Sequence, residues 1–381
     1  MNARKIAEWH AAGLIDAATR DALIAYEAAH TRPLLLWAVW GIGALAIGLG
    51  IVSVVAANWE EIPGLVRLAV HLALIAGLLG LVFAREEQID AASPWALEAL
   101  VFIAAALGLT FFGHLGQVYQ TAAPLWQPLS MWLALLAPLL LLTGRGWPTA
   151  LAVLGGMVWT AWEYAGAAAP PGAQGTIGWG IWLAFVIALP VLAAPPAAAL
   201  RARSRRPDFW LALEQLALAY AASGASLAAG LASIGGIEAD PSGSKLAAAA
   251  TCALTGLAAG AGVAALRPGR SGQMTGAILA GAGAAMLLAY PADDRNIAAA
   301  LVFFALWTGI AAAALGAQWR GVFQIAVGAI ALRLVILSFE LAADLLTSGF
   351  GLILAGLLIL GVAWGAVRVS KRFAPAREGK A

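Results

Sequence analysis

Arg333, Glu340 and Asp344 are the residues whose types and spacing come closest to doing chemistry. On a helix, at about 100° per residue, positions i, i+7 and i+11 fall within about 40° of one another. A guanidinium and two carboxylates on one stripe can hold an anion, bind a cation or proton, or neutralise each other. Arg67 and His71, at i and i+4, share a face in the same way, and His114 and Glu163 add a base and an acid. His114 with Glu163 or Glu340 would make an acid–base pair, although no spacing demands it. The four histidines, His10, His30, His71 and His114, are too far apart to suggest a metal site. The single cysteine, Cys252, permits neither an intrachain disulfide nor a thiolate metal site. No metal and no cofactor is expected. The HExxH, P-loop and GxSxG patterns are all missing, so the residues name no enzyme class.

The elements that must position these groups belong to a membrane protein. Apolar types make up 62% of the 381 residues and charged types 11%, with a mean hydropathy of +0.87. Soluble domains carry roughly 25% charged residues. Most side chains here must therefore face lipid or other helices. A spanning helix needs about 20 mostly apolar residues. Twelve runs qualify: 34–57, 64–84, 96–113, 128–143, 148–166, 176–194, 209–233, 246–266, 273–290, 297–316, 321–341 and 349–368. The run 128–143 is the weakest, being short and holding Pro138, so a kinked or re-entrant segment is an alternative there. The fold class is an all-α integral membrane protein of about twelve transmembrane helices.

Loop charge orients such a chain, because basic residues collect on the cytoplasmic side. With the N-terminus inside, 18 of the 22 basic residues fall in inside segments, and only Lys245 and Arg295 fall outside. Arg67 and Arg333 lie within spans. Both termini are therefore expected in the cytoplasm. In this orientation Arg67, His71, His114, Glu163, Arg333, Glu340 and Asp344 all lie in the outer half of the membrane or at its edge. Glu98 and Glu214 fall near cytoplasmic ends and read as interfacial.

Residues 1–33 read as a pair of short cytoplasmic helices, with Gly13 ending the first and Asp16 capping the second. They are a candidate contact for a cytoplasmic protein, or a lead-in lying on the membrane. Residues 34–370 form the spanning domain, and the basic loop Arg201–Asp208 divides it into candidate halves, 34–200 and 208–370. Arg145 with Arg320, Glu163 with Glu340 and Arg67 with Lys245 recur about 175 residues apart, which fits a parallel repeat. Regular helical hairpins produce the same coincidence. Residues 371–381 read as a disordered cytoplasmic tail. Gly256 with Gly260, and Gly272 with Gly276, are small-xxx-small packing faces.

Two stretches carry a family resemblance. One is Gly48–Pro63, with Asn58 and Trp59 at its polar end; the other is Gly113–Tyr119, with His114, Gln117 and Tyr119. Both resemble the bacterial predicted membrane proteins grouped as domain of unknown function 2157. The Gly13–Asp16 element and the Arg333 to Gly349 region fit as well. The resemblance implies a bacterial multi-pass inner-membrane protein and supplies no activity. It adds Asn58, Trp59, Gln117 and Tyr119 to the candidate outer polar cluster.

Three functions suit these features. A carrier or flippase-like protein would use an outward-facing polar cavity, with Arg67 and Arg333 for an anionic group and the acids for a coupling proton or cation. A structural or regulatory membrane subunit would use the same charges as a buried ion-pair network. An outer-leaflet transferase would use arginine for phosphate and Glu or His as base. Expected partners are membrane lipids and, if the packing faces meet between subunits rather than inside one, a second copy of the chain. The net charge of +2 gives no case for nucleic acid.

Overall fold

The computed structural model describes residues 6, 9–30, 61–92, 94–121, 123–167, 170, 172–237, 242–341 and 349–373. The expected span 34–57, the tail after 373, and Asn58, Trp59 and Asp344 lie outside these residues. Two compact units divide the chain, Met1–Arg67 and Leu68–Ala381.

In the first unit, α1 runs Ala17–His30. Gly13 takes a φ of 69°, which ends the preceding turn, and the Thr19 amide donates to Asp16 Oδ1 at 2.8 Å as an N-cap. Hydrogen bonds from the Thr19 hydroxyl and amide hold the Asp16 carboxyl below its usual range.

The other helices follow as α2 (Gly64–Ala92), α3 (Pro94–Tyr119), α4 (Trp126–Thr143), α5 (Trp147–Ala167), α6 (Ile177–Ala188), α7 (Ala194–Arg201) and α8 (Pro207–Ser233), then α9 (Ser244–Leu266), α10 (Arg270–Ala289), α11 (Asn296–Gly316), α12 (Arg320–Leu341) and α13 (Gly349–Phe373). Among the described residues there are thirteen α-helices and no strand. Ten stretches are long and apolar enough to cross a membrane. In hydrocarbon each backbone N–H and C=O must be paired within the protein, and a helix does this along its own length. The chain is an all-helical, multi-pass membrane protein.

The ten stretches match ten of the twelve expected spans. The run 34–57 is not described, and 148–166 corresponds to α5. That helix is 21 residues long but rich in Trp, Tyr and Gly, which hold its hydropathy below that of the ten. It starts beside Glu98 of α3, which Thr149 bonds, and reaches past the level at which Trp162 bonds Tyr220, midway along α8. Pro138 does not break α4, which stays one helix of 18 residues. α2 leaves helical geometry at Arg85 (φ −132°, ψ 18°), one residue past the expected end of its span.

The expected span 176–194 needs a larger correction. It continues to Arg201 as α6, a 3-10 turn Leu189–Ala193, and α7. Pro190 starts the 3-10 turn, and Pro195 and Pro196 sit in the first turn of α7, where no intrahelical N–H is required.

α8 is the central helix of the second unit and packs on α5, α7, α10 and α11. Its first half meets a core that includes Leu97, Leu140, Leu154, Phe209 and Leu213. The closest seam is between α9 and α10. A Cβ on Gly256 would come within 2.9 Å of Gly283 Cα and Leu279 O, and one on Gly260 would collide with the Gly276 carbonyl. Gly256, Gly260 and Gly276 thus pack as expected, whereas Gly272 faces its own Arg267 carbonyl in the turn.

The two ends of this unit differ in charge. The α4–α5, α7–α8 and α9–α10 junctions meet at one end, with Arg145, Arg201, Arg203, Arg205, Arg206 and Arg267. At the other end Ser244 bonds Thr176 O at 3.0 Å, and the Ile237 amide bonds Asp293 Oδ1 at 3.1 Å. There the described basic residues between Arg145 and Arg320 are Lys245 and Arg295.

Glu98 and Glu214 are more than interfacial. Their exposures of 4% and 3% make them the buried carboxylates of the basic end among the described residues. Glu98 accepts from the Arg145 amide (2.8 Å), the Thr149 amide (2.9 Å) and the Thr149 hydroxyl (2.7 Å), and so caps α5 from α3. Glu214 accepts from Arg267 at 2.6 Å, with Arg201 at 3.8 Å. Arg206 donates to Gly144 O and Leu141 O, both at 2.8 Å, closing the end of α4. Burial, and secondarily the neighbouring Arg145, pushes the Arg206 guanidinium below its usual range.

Two outcomes follow from this packing. Glu98→Gln should lower unfolding stability by about 1.5–3 kcal/mol, the value of hydrogen bonds to a charged group, measured by denaturant titration in detergent. Gly260→Leu should prevent isolation of folded protein, whereas Gly281→Leu, whose Cβ meets nothing within 4 Å, should purify as wild type does.

Candidate functional site

α6, α8, α9, α10 and the end of α5 line a half-open cavity of about 660 Å³. Pockets for small organic ligands occupy about 300–1,000 Å³. Each helix turns a stripe of small residues toward the gap. α6 gives Ala184 and Ala188; α8 gives Ala221, Gly224 and Ala228; α9 gives Ala248 and Cys252; α10 gives Ala282. These repeats of three and four residues fall on one helix face. On α9 the lining runs from Ser244 to Gly256, a rise of about 18 Å. That is a little more than half of a hydrocarbon core about 30 Å thick.

Aromatic side chains tie the walls together. Tyr220 of α8 donates to Ile187 O at 2.8 Å and accepts from Trp162 Nε1 of α5 at 3.1 Å. In a 3-10 register the donor for Ile187 O would come from residue 190, a proline with no N–H, so Tyr220 supplies what the chain lacks. Trp182 of α6 donates to Tyr164 of α5 at 2.9 Å. At the mouth, Thr176 caps α6 through the Trp179 amide and accepts Ser244 Oγ on its carbonyl. Lys245 Nζ donates to Ile237 O at 2.6 Å.

The polar groups are sorted by depth. The part nearer the middle of α8 is lined by Ala, Gly, Leu, Ile and Val, and there the Tyr220 hydroxyl and the half-exposed Trp162 already bond each other or backbone. Gln174, Ser244, Lys245 and Tyr290 line the mouth, at the end away from the arginines. A guest would find an apolar interior and a polar rim.

The residues singled out from the sequence lie elsewhere. None of those described lines the cavity. Arg333, 4% exposed, forms a two-pronged ion pair with Glu340 on its own helix, at 2.7 and 3.1 Å, and also bonds Ser233 of α8. His71 and His114 meet across α2 and α3, with Nδ1 atoms 3.3 Å apart. Glu163 accepts from Trp159 one turn earlier at 3.0 Å, and among the described residues no hydrogen bond or ion pair joins it to Arg333 or Glu340. Gln117 and Tyr119 are exposed on the last turn of α3. Arg67 is half-buried and closes the first unit. The set therefore divides into separate local groups. Among the described residues no cluster of three metal-binding side chains occurs.

The cavity residues gave one weak signal in the sequence. Tyr220 is the one tyrosine in the interior of an Ala-rich span, flanked by small residues at helical spacing.

If the Arg333–Glu340 pair is structural, Glu340→Leu alone should cost about 3–5 kcal/mol by leaving a buried cation. Adding Arg333→Met should recover most of that loss in the same unfolding titration.

No curated protein and no solved structure matches the chain. One family model does match, and it ends within the first turn of α5, short of every residue that lines the cavity. Residues 7–149 match the family described as "Predicted membrane protein (DUF2157)".

Proposed function

We propose that this multi-pass membrane protein is a carrier or flippase-like protein of a bacterial inner membrane, which takes an amphiphile tail-first into the cavity between α6, α8, α9 and α10. In this reading the chain crosses twelve times with both ends in the cytoplasm. The concentration of arginines at one end of the second unit supports that orientation. The cavity mouth then faces outward.

The carrying observation is the sorting of polarity in the cavity. Its deep polar groups are already bonded, so an aqueous solute would find no partner there, while a hydrocarbon chain leaves nothing unpaired. A chain moving in from lipid gains little from the hydrophobic effect, because lipid tails are equally apolar. Selection would come from the fit of the chain and from the head at Gln174, Ser244 and Lys245. A bacterial structural or regulatory subunit is the second reading. It is favoured by the Arg333–Glu340–Ser233 network, in which both terminal nitrogens of the guanidinium are bonded within the protein, and residues 1–33 would be its contact with a cytoplasmic partner.

Cys252, the single thiol, lines the cavity and reports on it. An apolar maleimide should label Cys252 in lipid nanodiscs. Gly224→Leu, whose new side chain would enter open space, should reduce labelling to background, while Gly281→Leu leaves it unchanged. In proteoliposomes carrying a fluorescent phospholipid, wild type should speed transfer between leaflets and Gly224→Leu should not. Labelling that follows this pattern without lipid transfer would put the structural reading first.

A further inference from the structure

The arginine-rich end of the second unit carries more positive charge than its own carboxylates balance. Segments 201–208 and 267–272 hold six arginines and one acid, Asp208, which is exposed in the first turn of α8. Arg206 is engaged with the carbonyls that end α4. Glu214 serves both Arg201 and Arg267. Arg267 donates to it at 2.6 Å and also bonds Ser271, whereas Arg201 stands at 3.8 Å, too far for a hydrogen bond. Among the described residues the side chains of Arg203, Arg205 and Arg270 make no hydrogen bond or ion pair, and all three are exposed.

These arginines come from two junctions that the fold brings together. Arg201 closes α7 and Arg267 follows the last turn of α9, and Glu214 draws both to one carboxylate. Arg203 and Arg205 lie in the turn from α7 to α8, and Arg270 opens α10. Depth matters as well as charge. Pro207 starts α8, and Glu214 lies about 10 Å further along its axis. The polar layer on each side of the hydrocarbon is only about 5–8 Å thick. Arg201 and Arg267 therefore reach from the junctions to the level where lipid phosphates meet hydrocarbon, with 31% and 20% of their side chains exposed.

We propose that this end of the protein is a docking surface for anionic lipids, whose phosphates take the arginine donors that the protein leaves unfilled. A guanidinium is a planar fork of N–H donors that matches two phosphate oxygens. A cation near hydrocarbon is costly until a counter-charge reaches it, and basic pockets between spanning helices bind anionic head groups for that reason. A zwitterionic lipid brings its own ammonium and leaves the excess charge in place, so the surface selects for net negative charge. A soluble polyanion would meet Arg203, Arg205 and Arg270, but only a lipid presents phosphate at the depth of Arg201 and Arg267. A lipid held by both sets would tie the α7–α8 junction to the α9–α10 junction, adding to the link that Glu214 makes.

The surface lies at the end away from the cavity mouth and stands whether or not the cavity carries a lipid. Its test is thermal unfolding of the full chain in detergent, titrated with phosphatidylglycerol or phosphatidylcholine. Wild type should gain Tm with phosphatidylglycerol and not with phosphatidylcholine. The triple variant Arg203→Gln/Arg205→Gln/Arg270→Gln removes no bond within the protein, so it should fold, and it should need at least tenfold more phosphatidylglycerol for the same gain. The variant Arg368→Gln/Lys371→Gln/Arg372→Gln removes equal charge from the end of α13 and should respond as wild type does. Equal gains from the two lipids, or a triple variant at 203, 205 and 270 that responds like wild type, would overturn the proposal. So would inorganic phosphate matching phosphatidylglycerol at equal concentration, which would make this a site for a free anion.

Discussion

The lack of water in the bilayer governs this structure more than any single contact. A polar group that loses its partner there cannot turn to solvent, so each break in regular helix must be repaired from within the protein. The 3-10 turn at Pro190 leaves Ile187 O to the hydroxyl of Tyr220, on another helix. The end of α4 is closed by the guanidinium of Arg206, and the start of α5 by the carboxylate of Glu98. Span hydroxyls return to their own helix, as Thr251 does to Ala247 O and Ser226 to Ala222 O. The irregular points of the chain are thus the points where helices are tied together.

Small residues do two opposite jobs with the same chemistry. Between α9 and α10, Gly256, Gly260 and Gly276 meet backbone and draw two helices into contact. One face further round, Gly224 has nothing within 4 Å of a Cβ and lines a space, with Ala228, Ala248 and Cys252 beside it. Whether a small side chain closes a seam or opens a space depends on the large ones beside it.

That dependence explains what could be read in advance. Spans were legible because a run of apolar residues needs no knowledge of its neighbours. Arg333 and Glu340 were legible as partners because both lie on one helix at a fixed spacing. The meeting of His71 with His114, and of Glu98 with Thr149, joins residues 43 and 51 positions apart and depends on how the helices are arranged. The cavity was hidden for the same reason: an Ala-rich face reads alike whether it packs or lines a void. The span 176–194 was cut short at Pro195 and Pro196, which usually stop a helix, because nothing local showed that α7 begins there anew.

The arginines of the basic end serve at two times in the life of the molecule. While a chain is being inserted, positive charge holds a loop on its side of the membrane before any helix has found its neighbour. Arg201, Arg206 and Arg267 are among those charges, and in the finished protein the same groups bond Glu214 or the carbonyls at the end of α4. Biogenesis and folding therefore make overlapping demands on these positions. A lysine would keep the signal for insertion, but its single ammonium would not reproduce the two-carbonyl grip of Arg206. A chain so altered would cross the membrane in the right direction and then lack the clasp that completes it.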